Sequence, residues 1–115
     1  MSAGKYNITL DQGSTFVLQV TLEQPAGTPI NLSGYTVRSQ IRKSYSDTLI
    51  GAFTCALVTP ASGIFQMALT ATQTKLLTEA EYVYDVEISI GSTVTRVLEG
   101  IIYVSPEVTQ DEVAP

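Results

Sequence analysis

The side chains that do most enzymatic work are scarce in this sequence. Histidine is absent, which removes the commonest general base and metal ligand, and with it Ser-His-Asp and Cys-His arrangements and His-based zinc sites. No glycines stand at the spacing of a dinucleotide fingerprint or a Walker loop, and no Asp-rich loop offers the roughly six to eight oxygens that calcium takes. Cys55 is the single cysteine, so no intramolecular disulfide can staple the fold. Its neighbours in the apolar segment from Ala52 to Leu57 include no Lys or Arg, and it reads as a small buried hydrophobe rather than an activated thiol.

Carboxylates are the remaining acids and bases. Asp85 and Glu87 stand two apart in an alternating run, which sets them on one strand face roughly 6–7 Å apart, within the range of a glycosidase pair. Any strand with two outward acids gives that spacing, and arginines expected beside them should hold both pKa values down, leaving neither a competent acid near neutrality. Asp11 and Asp47 fit turns. Tyr35, Tyr45 and Tyr103 are candidates for an aromatic platform that stacks on a sugar. In a Trp-free sequence with six tyrosines, however, such residues serve more often as core edges and interface anchors. The inventory points to no catalytic residue, no cofactor and no metal, and enzymatic activity is not expected.

These side chains must be positioned by a small scaffold. With 115 residues, 44% of them hydrophobic, the chain suits one domain with a single core. Charged residues are only 15%, which suggests a surface that packs against partners, or one covered by the Thr and Ser that suit exposed strand positions. A net charge of −5 with six basic residues argues against nucleic acid as a partner. No apolar run approaches the roughly 18–20 residues needed to span a bilayer, so no membrane association is expected. The opening Met1 to Asn7 lacks the basic and apolar regions of a secretory signal, so synthesis in the cytosol is expected.

The most explicit element is a hairpin, two β-branched alternating runs flanking Gly91-Ser92. Counting outward pairs Ile90 with Thr93, Ile88 with Thr95 and Val86 with Val97 on one face, and Glu87 with Arg96 on the other. Upstream, Tyr6 to Leu10 alternates and ends in a turn at Asp11 to Gly13. Ser14 to Leu22 then directs Phe16, Leu18, Val20 and Leu22 to the core. Glu23 to Pro29 is a loop broken by Pro and Gly, and Asn31 to Tyr35 a second bend. From Tyr35 to Lys43, Tyr35, Val37, Ser39 and Ile41 share one face, and Thr36, Arg38, Gln40 and Arg42 a wet, basic one. Thr48 to Val58 is evenly apolar, a strand in mid-sheet or one with a bulge. Ile64 to Leu69 is a further strand, and Thr70 to Leu77 is predicted to make one or two helical turns crossing between sheets.

Seven strand-like runs with turn signals about every 8–12 residues predict an all-β chain. The specific expectation is an immunoglobulin-like antiparallel β-sandwich of about seven strands, with one short helical turn near 70–77, spanning residues 1–105 and followed by an acidic C-terminal tail, 106–115. If the third, sixth and seventh strands share a sheet, their outer face sets Arg38 and Arg42 beside Asp85 and Glu87, with Arg96 beyond. Those five and Tyr35 are the candidate interaction residues, although a plain solvated face would show the same pattern.

In immunoglobulin-like sandwiches the sixth strand often opens on a small residue, one position, then a Tyr that turns back to the preceding corner. Ala80-Glu81-Tyr82 stands in that place, and Tyr84 stands where antibody domains carry a cysteine. With no Trp, the core centre is expected to be Tyr84, Phe16, Phe65 and aliphatics. Ile8 to Phe16, the bend Pro29-Ile30-Asn31-Leu32-Ser33-Gly34-Tyr35, Gly63 to Thr70, Tyr82 to Glu87, and Arg96 to Gly100 with Val104 to Thr109 together resemble a tailed-phage virion domain. The chain is similar to the immunoglobulin-like domain at the N-terminus of phage baseplate upper proteins and to short stand-alone virion proteins. That resemblance implies a non-enzymatic building block of a tail, baseplate or fibre attachment site, docking on other virion structural proteins and assembled in the reducing host cytoplasm. Homo-oligomerisation is expected, because virion positions are symmetric. Baseplate upper proteins continue into a fibre-holding region after this domain, which leaves baseplate, neck and capsid decoration all open. The alternative is a receptor- or glycan-binding β-sandwich for host-surface adhesion, using exposed Tyr and Thr.

Overall fold

A computed structural model describes residues 4–24, 27–45 and 48–108. Within them lie strands β1 (Gly4–Lys5), β2 (Ile8–Asp11), β3 (Phe16–Thr21), β4 (Thr36–Arg42), β5 (Leu49–Thr59) and β6 (Ile64–Leu69), the short helix α1 (Ala71–Lys75), and strands β7 (Glu81–Ile90) and β8 (Thr93–Ser105). A 3-10 turn, Pro60–Ser62, joins β5 to β6. The chain is all-β, as its period-two patterning predicts.

The strands lie in the order β1-β8-β7-β4-β5-β6-β3, with β2 also along β8. Two features depart from the expected antiparallel sandwich of about seven strands. β1 and β2 run parallel to β8, so the sheet is mixed. β5 changes partner along its length, pairing with β4 from Leu49 to Phe53 and with β6 from Thr54 to Thr59, so that one curled sheet carries two wings. Its long apolar run therefore reflects a central position, with irregular register at Ile50 and at Val58, both exposed.

The two wings close on one core, in which Phe65, Met67, Leu32, Ile41, Val86 and Ile102 are almost wholly buried. Phe16, Leu18 and Val20 pack against it, as their phase predicts. Phe53 bridges the wings, with ring centroids 6.0 Å from Phe16 and 6.0 Å from Tyr84. It is the aromatic that the expected centre of Tyr84, Phe16 and Phe65 lacked. The helix is started by a capping box, Thr70 and Gln73 each accepting the other's backbone N–H. It carries the chain from β6 to β7 and buries Thr74 and Leu77.

The hairpin pairs Ile90 with Thr93, Ile88 with Thr95 and Glu87 with Arg96 as counted from its turn. The expected Val86–Val97 pair does not form, since Val86 faces Leu98 across a register shift. Val97 is buried, but so are Gly100, Ile102 and Val104. An odd and an even set can both face the core only if one extra residue intervenes, and the bulge supplies it. At the other end, Glu107 follows β8 closely, its N–H donating to Gln12 Oε1 at 3.0 Å and its carboxylate 3.8 Å from Lys75 Nζ. The rest of the predicted acidic tail, residues 109–115, lies outside the described residues, as do Ser46 and Asp47.

Candidate functional site

Arg38, Gln40 and Arg42 project from the wet side of β4, and strand pairing brings Glu87, Asp85 and Val83 of β7 directly opposite them. On the far side of β7, Arg96 of β8 faces Glu87. The result is an open cleft of about 320 Å³ lined by Arg38, Arg42, Asp85, Glu87 and Arg96, with Tyr45 at its rim and Ser39, Val83 and Tyr84 beneath. Five of the six predicted site residues are thus gathered on one surface. Tyr35 is not among them, because it falls on the core-facing phase of β4 and packs against the core. The three tyrosines considered as a platform do not converge either. Tyr45 is 70% exposed at the cleft, while Tyr103 lies further along β8, opposite Glu81.

The charges are paired within the surface. Arg38 reaches Glu87 Oε1 with Nη2 at 3.0 Å and Nε at 3.3 Å. Arg96 lies between two acids, 3.3 Å from Asp85 Oδ2 and 3.7 Å from Glu99 Oε1. Arg42 Nη2 donates to Gln40 Oε1 at 3.3 Å. Below them the buried Ser39 hydroxyl donates to the Asp85 carbonyl oxygen at 2.6 Å, fastening β4 to β7.

Glu99 is the acid that sequence reasoning missed. The bulge shifts β8 by one residue, so Asp85 faces Glu99 across the ladder. Lys5 caps this acid from β1, Nζ to Oε2 at 2.6 Å. The register shift follows from demanding that both Val97 and Ile102 reach the core, and nothing in the local pattern of β8 marks where the extra residue falls.

The expectation that arginines hold down both pKa values fails at Asp85. Its pKa is raised, first by burial and then by the nearby Glu87, and Arg96 offsets this only in part. Glu99 moves the other way, held low mainly by its hydrogen bond from Lys5, which is itself raised by that bond. The surface therefore offers alternating guanidinium and carboxylate groups already balanced against one another, an array suited to matching a partner's polar groups. Cys55 lies apart from it, half-buried, its thiol pushed up to about 11 by burial.

Among the described residues no group of three or more His, Cys, Asp or Glu is placed to hold a metal ion, and no helix is long and apolar enough to cross a membrane. No protein-family model matches the chain, and no curated protein matches it.

Proposed function

We propose that this chain is a non-enzymatic structural protein of a tailed-phage virion, an immunoglobulin-like module that docks on neighbouring virion proteins. The observation that carries the docking role is the charged outer face of β4, β7 and β8, where five ionic side chains from three strands line one open cleft. A surface so paired fixes partner choice and register more than it stabilises the monomer. The immunoglobulin-like reading is supported by Tyr82, buried at the start of β7, whose hydroxyl accepts the Glu79 N–H at 3.0 Å in the manner of a tyrosine corner. The adjacency of β4, β7 and β8 supports it too. Assembly would take place in the host cytoplasm, consistent with a fold held by core packing around a single cysteine.

Mass spectrometry of purified particles tests this reading. The chain should be present at a fixed ratio to the other virion proteins, and a chain found only in the infected-cell lysate would count against it. A second reading, a glycan- or receptor-binding module, is favoured by one observation, the strongly exposed Tyr45 beside a cleft of mixed donors and acceptors. Host-cell or glycan-array binding that is lost in Tyr45→Ala would support it, and no binding by the parent chain would remove it.

A further inference from the structure

The two edges of the sheet differ in kind. The edge formed by β1 and β2 is interrupted at Tyr6–Asn7, where Tyr6 N–H donates to the Glu99 carbonyl and Asn7 Oδ1 accepts from Ile101 N–H. It also carries Lys5 and Asp11. Breaks and charges of this sort prevent a second chain from adding to an edge. The opposite edge, β3, has none of them. Phe16-Val17-Leu18-Gln19-Val20-Thr21 contains no charge and no proline, runs in unbroken register with β6, and among the described residues pairs with no other strand.

The geometry points to self-association through this edge, β3 pairing antiparallel with β3 of a second copy across a two-fold axis at Gln19. Leu22 N–H donates to the Gly63 carbonyl at 2.8 Å, in step with Thr21 opposite Ile64. Because backbone groups alternate sides along a strand, Phe16, Leu18 and Val20 then turn theirs toward β6, and Val17, Gln19 and Thr21 turn theirs outward. An axis at Gln19 sets Val17 of each copy opposite Thr21 of the other and Gln19 opposite Gln19. Every outward group in the strand then meets its complement in a reciprocal pair. On the core side the same register sets Leu18 opposite Val20, keeping apolar groups on the apolar face.

Charge favours a second copy as the occupant. The chain carries −5 overall, yet the rows that flank this edge on the outer face are uncharged. Val17 continues into Ala68 and Thr54, Gln19 into Gln66 and Ala56, and Thr21 into Ile64 and Thr59. Two like-charged molecules meet there with little local repulsion, while the ionic residues of the cleft lie on the other wing. This association is independent of the docking proposed for that cleft.

Light scattering on the full-length chain after size exclusion is the test. The parent should elute with a mass near twice 12.4 kDa in a concentration-dependent equilibrium. Gln19→Pro removes an outward N–H that β6 does not use, and proline is tolerated at such an edge position, so this variant should elute near 12.4 kDa. Gln19→Lys and Gln19→Glu, each alone, should also shift to the monomer, because like charges face each other across the axis. Mixing the two should restore the doubled mass as a heterodimer. A parent chain that stays monomeric at all concentrations overturns the inference. So does a dimer that survives all three substitutions, or a Lys/Glu mixture that remains monomeric.

Discussion

Tyr84 ties the core to the start of the chain. Its ring meets Phe53 edge-on and its hydroxyl donates to the Tyr6 carbonyl at 2.5 Å, where β1 breaks into β2. Burial raises its pKa, so the hydroxyl remains a donor across the working range. Tyr84→Phe keeps the ring but leaves that carbonyl without its donor, and should lower unfolding free energy by about 1–2 kcal/mol in urea titrations. At Asp85 the raised native pKa means that the folded state holds the proton more tightly than the unfolded chain. Its stabilising contribution is therefore greatest below the ordinary 3.8 and is lost as pH rises through the higher native value. The parent should accordingly lose stability relative to Asp85→Asn as pH rises through this window. An opposite slope would show that Arg96, not burial, governs the group. Cys55, at about 11 against an ordinary 9.0, should carry about 100-fold less thiolate than a free thiol. Iodoacetamide should label it slowly in the native chain and readily in urea.

Among the elements, the bulge in β8 matters most to the site, since it brings Asp85 opposite Glu99 and sets Arg96 between them. The hairpin turn, the phase of β3 and β4 and the capped helix were legible in the sequence because each rests on local periodicity or local turn chemistry. The bulge was not, because it answers a tertiary demand to bury two out-of-phase apolar sets. The same limit applies at Ile8, whose alternating run does not reveal its neighbours: it is 2% exposed in the core and its strand pairs with β8. A Lys there should unfold the chain. The passage of the chain over β8 depends on Gly100, where a Cβ would run into the Tyr6 carbonyl. Gly100→Ala should destabilise by about 1–3 kcal/mol, as overpacking does, with a lower urea midpoint and faster amide exchange at Tyr6.

Considered as a whole, the molecule separates its surfaces. One wing presents paired charges around a cleft, and the other an uncharged face ending in an open strand. Arg38, Arg42, Asp85, Glu87 and Arg96 could be grouped from sequence because strand alternation fixes faces, while Tyr35 was misassigned because its phase marks it for the core. Exposed ion pairs add little to folding, about 0–1 kcal/mol each. Arg38→Gln with Arg96→Gln should therefore change the thermal midpoint little while sharply reducing incorporation into particles. The most direct measurement is an electron cryomicroscopy map of the purified particle at side-chain resolution. The chain should appear with Arg38, Asp85 and Arg96 pressed against a neighbouring virion protein. A particle without the chain, or one in which that face is bare to solvent, would contradict the docking role.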